Sequence, residues 1–249
     1  MAKMKFMNIE IDNLTMQETL HIIEQLIREK KHAYVVTPNV DHIVRLECDT
    51  ELQKAYKNAT LVLTDGKPLL WIAKLYRTPI KEKISGSDLF PCLCEMAAQK
   101  GYKMFFLGAA EGVAEKAAEN LTKRFKGLKV VGTYSPPFGF EVNCGEIEKI
   151  KAMIRSVKPD ILIVGLGCPK QEKFMYNHCK ALEVPISFGL GASFDFEAGN
   201  IKRAPRWMSN NGLEWLYRIT QDPKRMMKRY LVDDRKIFGL VIKYRKDNH

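Results

Sequence analysis

The sequence predicts an α/β fold: a Rossmann-like, mostly parallel sheet flanked by helices, followed by a helical, basic C-terminal appendage. Three observations predict it. Up to about residue 195, short β-rich runs alternate with helical patterns, the signature of strands joined by crossover helices. Several of those runs are continuously apolar, as strands buried on both faces are. After Gly199 no strand signal of comparable strength follows, and Lys and Arg accumulate.

Taken in order, strands are expected over 6–11, 33–37, 61–64, 103–107, 129–133, 160–164 and 185–188, where β-branched, aromatic and aliphatic residues cluster. Between them, Thr15-Met16-Gln17-Glu18 is a capping box opening a helix to about Lys30, and Asp49 caps a helix reaching Asn58. Ser87 or Asp88 caps another that ends before Gly101. Helices over 110–125, 145–157 and 169–182 complete the alternation, the last with Pro169 in its first turn, where a missing N–H is tolerated. Beyond Gly199, helical segments are expected near 213–220 and 223–234, then a final stretch to Lys246. From Pro223 onward, Met226, Met227, Tyr230 and Leu231 share one side while Lys224, Arg225, Lys228 and Arg229 crowd the rest. Such an amphipathic basic helix suits a membrane surface, and equally suits packing on the body with its basic face in water. The expected division is an α/β domain over 1–199 and the basic helical appendage over 200–249.

With 249 residues, 46% of them apolar and 28% charged, the chain can bury a core and has nothing of the composition of a disordered chain. No uncharged apolar run is long enough to span a membrane, and the N-terminus runs into alternating sequence instead of a signal segment. A cytosolic protein is expected. The six cysteines are scattered, and the only close pair, Cys92 and Cys94, lacks the two-residue spacer of zinc and redox motifs, so reduced thiols are expected. The net charge of +11 is uneven: residues 202–249 hold thirteen Lys/Arg against five Asp/Glu, and the rest is nearly balanced. A localised positive field favours a polyanionic partner, either an anionic membrane surface or nucleic acid.

In an α/β sheet, ligands sit beyond the carboxyl ends of the strands, and five such ends carry polar or small residues. At the first, Thr37 and Asn39 can hydrogen-bond a sugar or phosphate, though Asn39 also reads as a helix cap. At the second, Asp65 is a candidate general base, since an acceptor hydroxyl needs a positioned carboxylate or imidazole; a turn-forming Asp65-Gly66 accounts for the same dipeptide. The third, Gly108-Ala109-Ala110 at a helix start, lets a phosphate approach backbone N–H groups, but its spacing is neither the dinucleotide fingerprint nor the P-loop. At the fourth, Gly165-Leu166-Gly167-Cys168 runs into a helix whose first turn holds Lys170 and Gln171. A cation there opposes the helix dipole unless an anion is bound nearby. The fifth, Gly189 to Glu197, supplies close backbone and Asp195; Asp195-Phe196-Glu197 has the outline of an Asp-x-Asp metal motif, but no second carboxylate pair supports it, so no metal is expected. The histidines lack ligand spacing, and His42 reads as a helix-face residue.

Taken together, Thr37-Pro38-Asn39, Asp65-Gly66, Ser85-Gly86-Ser87-Asp88, Gly108 with Gly112-Val113-Ala114, Gly165-Leu166-Gly167-x-Pro169-Lys170-Gln171-Glu172, Phe194-Asp195-Phe196-x-Ala198-Gly199, Lys202-Arg203-Ala204-Pro205 and Gly212-Leu213-Glu214-Trp215-Leu216-Tyr217-Arg218 resemble the WecG/TagA/CpsF glycosyltransferases, in order from the first strand to about Tyr230. The resemblance implies an inverting transferase that moves N-acetylmannosamine from a UDP-sugar donor to an undecaprenyl-diphosphate-linked N-acetylglucosamine acceptor, as in wall teichoic acid or a related surface glycan. It implies Asp65 as the base, with Thr37, Asn39 and Gln171 positioning sugar and diphosphate. By the resemblance Asp195 and the nearby turn would contact the nucleotide, while Gly108, Gly167 and Lys170 are expected at its phosphates from the strand-end reading above, with Arg229. It further implies that the appendage docks on the inner face of the cell membrane and completes the site with Arg218, Arg225 and a third cation, Arg229 or the adjacent Lys228. No cofactor is implied. Some such enzymes transfer glucose or other sugars, and Glu197 stands where the family is usually apolar. Two other classes compete: a nucleic-acid-binding α/β protein, and a nicotinamide-dependent dehydrogenase, which the missing glycine fingerprint disfavours.

Overall fold

The computed structural model describes residues 3–245, apart from the side chains of Arg206, Asn210, Arg225 and Val232. The expected parallel sheet is present. Its strands are β3 (Ala33–Val36), β4 (Leu61–Val62), β5 (Lys103–Gly108), β6 (Lys129–Tyr134), β7 (Ile161–Gly165) and β8 (Ile186–Gly189), arranged β4-β3-β8-β7-β5-β6 with every neighbouring pair parallel. The first expected strand is instead a hairpin. Met7, at φ 52°, turns the chain between β1 (Met4–Phe6) and β2 (Ile9–Ile11), which form a separate antiparallel pair. A left-handed methionine gives no turn signal in the sequence, so the continuous alternation concealed the reversal.

Strand side chains alternate between two apolar clusters, one on each face of the sheet. Tyr34, Val36, Phe105, Leu107, Leu162 and Val164 point to one; Ala33, Val35, Met104, Phe106, Ile161 and Ile163 point to the other. The first is covered by α2 (Val40–Arg45), α3 (Thr50–Lys57), α4 (Lys67–Leu75), α7 (Cys144–Val157) and α8 (Lys170–Leu182). The second is covered by α1 (Met16–Arg28), α5 (Gly86–Lys100), α6 (Val113–Arg124) and α9 (Ser193–Ala198). In the second, Phe90, Phe106 and Phe194 meet at centroid distances of 5.3, 5.4 and 5.5 Å. Gly165 is what lets them in: a Cβ there would sit 2.3 Å from the Phe194 ring.

The caps at Thr15 and Asp49 form as expected. The cap of α5 is Ser85, not Ser87 or Asp88: its Oγ accepts from Asp88 N at 3.2 Å. Helix α4 was not expected. It is nucleated by Gly66, whose φ of 96° reverses the chain, and by Pro68 in its first turn.

After Gly199 the chain forms α10 (Arg206–Asn210), α11 (Glu214–Gln221), α12 (Pro223–Lys228), a widened π-type turn (Arg229–Asp233), a 3-10 turn (Asp234–Lys236) and α13 (Ile237–Tyr244). Lys246, where the final stretch is expected to end, lies outside the described residues. The single helix expected over 223–234 is interrupted, and the π-type turn begins at the residue that reaches the body, Arg229. Seating is mixed. Ile237 is buried in the first cluster, the Tyr76 hydroxyl donates to Val241 O at 2.8 Å, and Glu47 accepts from Lys243 Nζ at 2.6 Å and from Tyr244 at 2.8 Å. At the near end, Arg203 pairs with Asp88. Burial opposes the Asp88 charge, but Lys83, Ser85 and Arg203 hold its pKa down to about 2.

Candidate active site

The carboxyl ends of β3, β4, β7 and β8 open into one cleft of about 570 Å³. Its position follows from topology: β3 and β8 are neighbours, but their following helices α2 and α9 leave toward opposite faces, which opens a crevice between them. Thr37, Asn39, Asp65, Gly167, Gln171 and Asp195 all line it, and so do Arg218 and Arg229 from the C-terminal segment.

At the centre, Thr37 Oγ1 donates to Gly189 O at 3.5 Å across the β3–β8 junction. Asn39 caps α2, accepting from Asp41 N at 3.1 Å, and still faces the cleft, so the two readings of this residue are compatible. Gln171 is buried; its Oε1 accepts from Gly191 N at 3.1 Å and its Nε2 donates to Glu172 Oε1 at 2.7 Å. Glycine is required opposite it, because a Cβ at Gly189 or Gly191 would stand 3.0 Å from the Gln171 amide. Gly167, at φ 76°, has open space where a side chain would be.

Asp65 is anchored by its own N–H, which donates to Pro38 O at 2.9 Å. Burial raises its pKa from 3.8 to about 6; the Arg218 guanidinium opposes the rise and Glu214 adds to it. Arg218 is bound to Glu214 at 2.8 Å and lies 5.5 Å from the centroid of the Phe196 ring. The carboxylate and the guanidinium therefore come from separate parts of the chain, one from the end of β4 and the other from α11.

Of the cation pair at the third position, both members line the cleft. Arg229 is the one tied to its wall, donating to Asn39 Oδ1 at 3.1 Å and lying 3.7 Å from Asp234. Arg225 is on α12, and its side chain lies outside the described residues. Lys170 and Gly108 are not among the lining residues. Lys170 instead pairs with Glu141 and sits 4.7 Å over the Phe138 ring. Gly108 is needed because a Cβ would come within 2.5 Å of Gly165 O, and its neighbour Ala109 is the one at the cleft. Glu197 faces Arg124 at 3.6 Å, which gives this unexpected carboxylate a partner away from the cleft floor.

Sequence reasoning missed a polar cluster behind Asn39. His42 is buried, with Nδ1 2.9 Å from Asn39 Oδ1 and Nε2 3.3 Å from Glu172 Oε1, and Glu172 is fully buried. Burial works against the imidazolium; Cys168 and Glu172 beside it prevail and raise the His42 pKa well above its ordinary value. Burial also pushes up the Cys168 thiol. Asp41, His42 and Cys168 bring one atom each to within 4.8 Å of one another. Both imidazole nitrogens are already engaged, however, and Asp41 holds Arg45 at 2.9 Å, so these side chains form a hydrogen-bonded cluster. The one sequence signal for it is the His three residues after the Asn39 cap, on the same side of the helix.

A model of the family described as glycosyl transferase WecG/TagA/CpsF matches residues 4–249. The chain is similar to an N-acetylglucosaminyldiphosphoundecaprenol N-acetyl-beta-D-mannosaminyltransferase of Bacillus spizizenii, with 31% identity over 82% of this chain and 77% of that protein. It is similar to proteins of the same name in Bacillus subtilis, at 29% identity over 88% of this chain and 85% of the relative, and in Staphylococcus aureus, at 27% over 90% and 87%.

Proposed function

This chain belongs to the glycosyl transferase WecG/TagA/CpsF family, and from that premise we propose that it transfers N-acetylmannosamine from UDP-N-acetylmannosamine to undecaprenyl-diphosphate-linked N-acetylglucosamine, forming a β-1,4 link. The acceptor and the transferred sugar are those named in its relatives. The observation that carries the reading is Asp65: a carboxyl at a strand end, in a cleft, with its pKa raised to about 6 and a guanidinium opposite. A base poised near neutral pH is ionised in the cell yet still basic enough to take a hydroxyl proton.

In the reaction, Asp65 accepts the proton of the acceptor hydroxyl as that oxygen bonds to the anomeric carbon. The bond from that carbon to the UDP oxygen breaks on the opposite side, which inverts the configuration. UDP leaves with its diphosphate charge, a role this reading gives to Arg218 and Arg229 in the cleft and, by the family resemblance alone, to Arg225; a guanidinium fork binds phosphate oxygens in pairs. Thr37, Asn39 and Gln171 hold the sugar and diphosphate end, with Asp195 toward the nucleotide. Arginines supply the positive charge in this scheme, so it invokes no cofactor.

Among the described residues no helix is long and apolar enough to cross a membrane. Phe238, Ile242, Leu231 and Met227 are exposed on a segment rich in Lys and Arg. That combination supports peripheral docking on an anionic membrane surface, where a lipid-linked acceptor resides. The decisive experiment is a donor panel assayed with a synthetic lipid-diphosphate N-acetylglucosamine acceptor. Turnover of UDP-N-acetylmannosamine above the other donors is expected; faster turnover of UDP-glucose would replace the sugar, and no turnover of any UDP-sugar would remove the proposal.

A further inference from the structure

We propose that His42 and Glu172 are positioning residues: the charged pair fixes the amide of Asn39 so that its oxygen receives Arg229, tying closure of the C-terminal segment to the sugar-binding end of the cleft. This inference rests on the reading of the cleft as the transferase site.

Hydrogen-bond valence decides how this amide is oriented. Asn39 Oδ1 has three close neighbours: Asp41 N at 3.1 Å, Arg229 Nη2 at 3.1 Å and His42 Nδ1 at 2.9 Å. A backbone N–H and a guanidinium can only donate, so the amide atom facing them is the oxygen and the Nδ2 group is left for the cleft. For His42 Nδ1 to fit there it must donate too. Its Nε2 lies 3.3 Å from the Glu172 carboxylate, which only accepts, so Nε2 also carries a proton. Both nitrogens donating means the imidazolium. A neutral ring keeping its proton toward Glu172 would set the Nδ1 lone pair against Asn39 Oδ1; it could then accept only from Asn39 N, at 3.4 Å. That state strips Oδ1 of one donor and invites the amide to turn, which would set its N–H groups against Arg229.

Glu172 is itself oriented from behind, since Gln171 Nε2 donates to the same Oε1 at 2.7 Å and Gln171 Oε1 accepts from Gly191 N at 3.1 Å. The chain of bonds thus runs from the β8 loop through Gln171, Glu172, His42 and Asn39 to Arg229. The groups facing His42 are Glu172 and Cys168 from α8 and the loop before it, Tyr56 from α3, Asp65 from the end of β4, and Asp41 on its own helix. Of these, Glu172 Oε1 lies 3.3 Å from His42 Nε2. With the His42 pKa raised in the closed state, the docking contribution is fully present below the ordinary imidazole range and is lost as pH rises through the raised value.

The test uses the full chain with His42→Gln, Glu172→Gln and, as a control on α8 outside the cleft lining, His178→Gln. Amide hydrogen exchange over residues 226–236 is followed against pH in ligand-free protein, corrected for intrinsic rates. Steady-state kinetics with UDP-N-acetylmannosamine are run in parallel. In the wild type, protection of this segment should fall as pH rises. His42→Gln should lower protection at neutral pH, leave only the fall with pH that Asp234 contributes beside Arg229, its pKa raised by burial to about 6, and raise KM about tenfold with a smaller change in kcat. Glu172→Gln keeps the shape but removes the charge, and should move the pH of protection loss down by at least about one unit; it carries the test if His42→Gln does not fold. His178→Gln should match the wild type. Wild-type protection and pH dependence in both His42→Gln and Glu172→Gln would overturn the inference. If the wild type turns over no UDP-sugar, the functional reading fails by itself, while the exchange profiles still decide the positioning role.

Discussion

In the sheet body, Phe90, Phe106 and Phe194 interlock on the backbone of Gly165, and strand residues such as Val35, Leu162 and Phe188 are wholly removed from water. In the segment after Gly199, α11 buries no side chain completely, and Trp207, Leu231, Phe238 and Ile242 are more than half exposed. Its seating combines Ile237, buried in the first cluster with Leu240 and Val241 packed against it, with charged and hydrogen-bonded ties: Arg203 to Asp88, Arg229 to Asn39, Lys243 and Tyr244 to Glu47. Exposed ion pairs contribute at most about 1 kcal/mol each, whereas one buried aromatic is worth several times that. The body is thus the more densely buried region, and the C-terminal segment contributes cations to the cleft from a less buried position. Segments that close on ligands are drawn from the low-stability end of a structure.

The largest effect expected is at the point where the two regions meet. Asp65→Asn should cut turnover by about 10²–10⁴-fold, measured with the lipid-diphosphate acceptor. The same substitution should stabilise the body. Because the folded-state pKa is raised from 3.8 to about 6, the native state holds the proton more tightly and stability falls as pH rises through that window. Removing the carboxylate should return about 1–3 kcal/mol at about pH 8 in denaturant melts. An Asp65→Asn variant that is both active and no more stable would break the assignment.

Phe194→Ala probes the body alone and should cost about 3–5 kcal/mol. A loss under about 1 kcal/mol, in the range of an exposed substitution, would mean that the contrast in packing is not one of stability. Arg218→Gln probes the segment's contribution to the cleft. It removes the charge that opposes the rise in the Asp65 pKa, so the acid limb of the rate–pH profile should move to higher pH while turnover drops about 10–100-fold. An unmoved limb would separate Arg218 from the base. Smallest is Phe238→Ser with Ile242→Ser. It should leave melting unchanged but weaken binding to anionic vesicles several-fold to about tenfold, more so at high salt. Equal binding by both proteins would direct the search for the docking face elsewhere.

Much of this was legible from the chain. The alternation of apolar runs and capped helices led directly to the parallel sheet, since a strand buried on both faces must be apolar throughout and a helix must announce its ends. The strand-end residues Thr37, Asn39, Asp65, Gly167, Gln171 and Asp195 all face one cleft, because a parallel sheet brings every carboxyl end to the same edge. Lys170 shows where this logic stops. It sits at the right helix start but pairs with Glu141, and the choice between cleft and surface is made by side-chain direction.

Local and periodic features of the chain set strand and helix character, most turns at strand ends, and the concentration of positive charge after Gly199. Which distant groups share a low-dielectric space is settled by the packing of the folded molecule. Asp65 has a pKa of about 6 because burial removes water from its carboxyl while Arg218 and Glu214, about 150 residues later in the chain, set the local field. The His42 pKa is raised because Cys168 and Glu172, more than 120 residues later, stand beside it. The reversal at Met7 and the π-type turn at Arg229 belong to the same class. Backbone conformations without a sequence signature, and charges brought together by topology, are fixed by packing energies summed over the whole molecule rather than by any one stretch of chain.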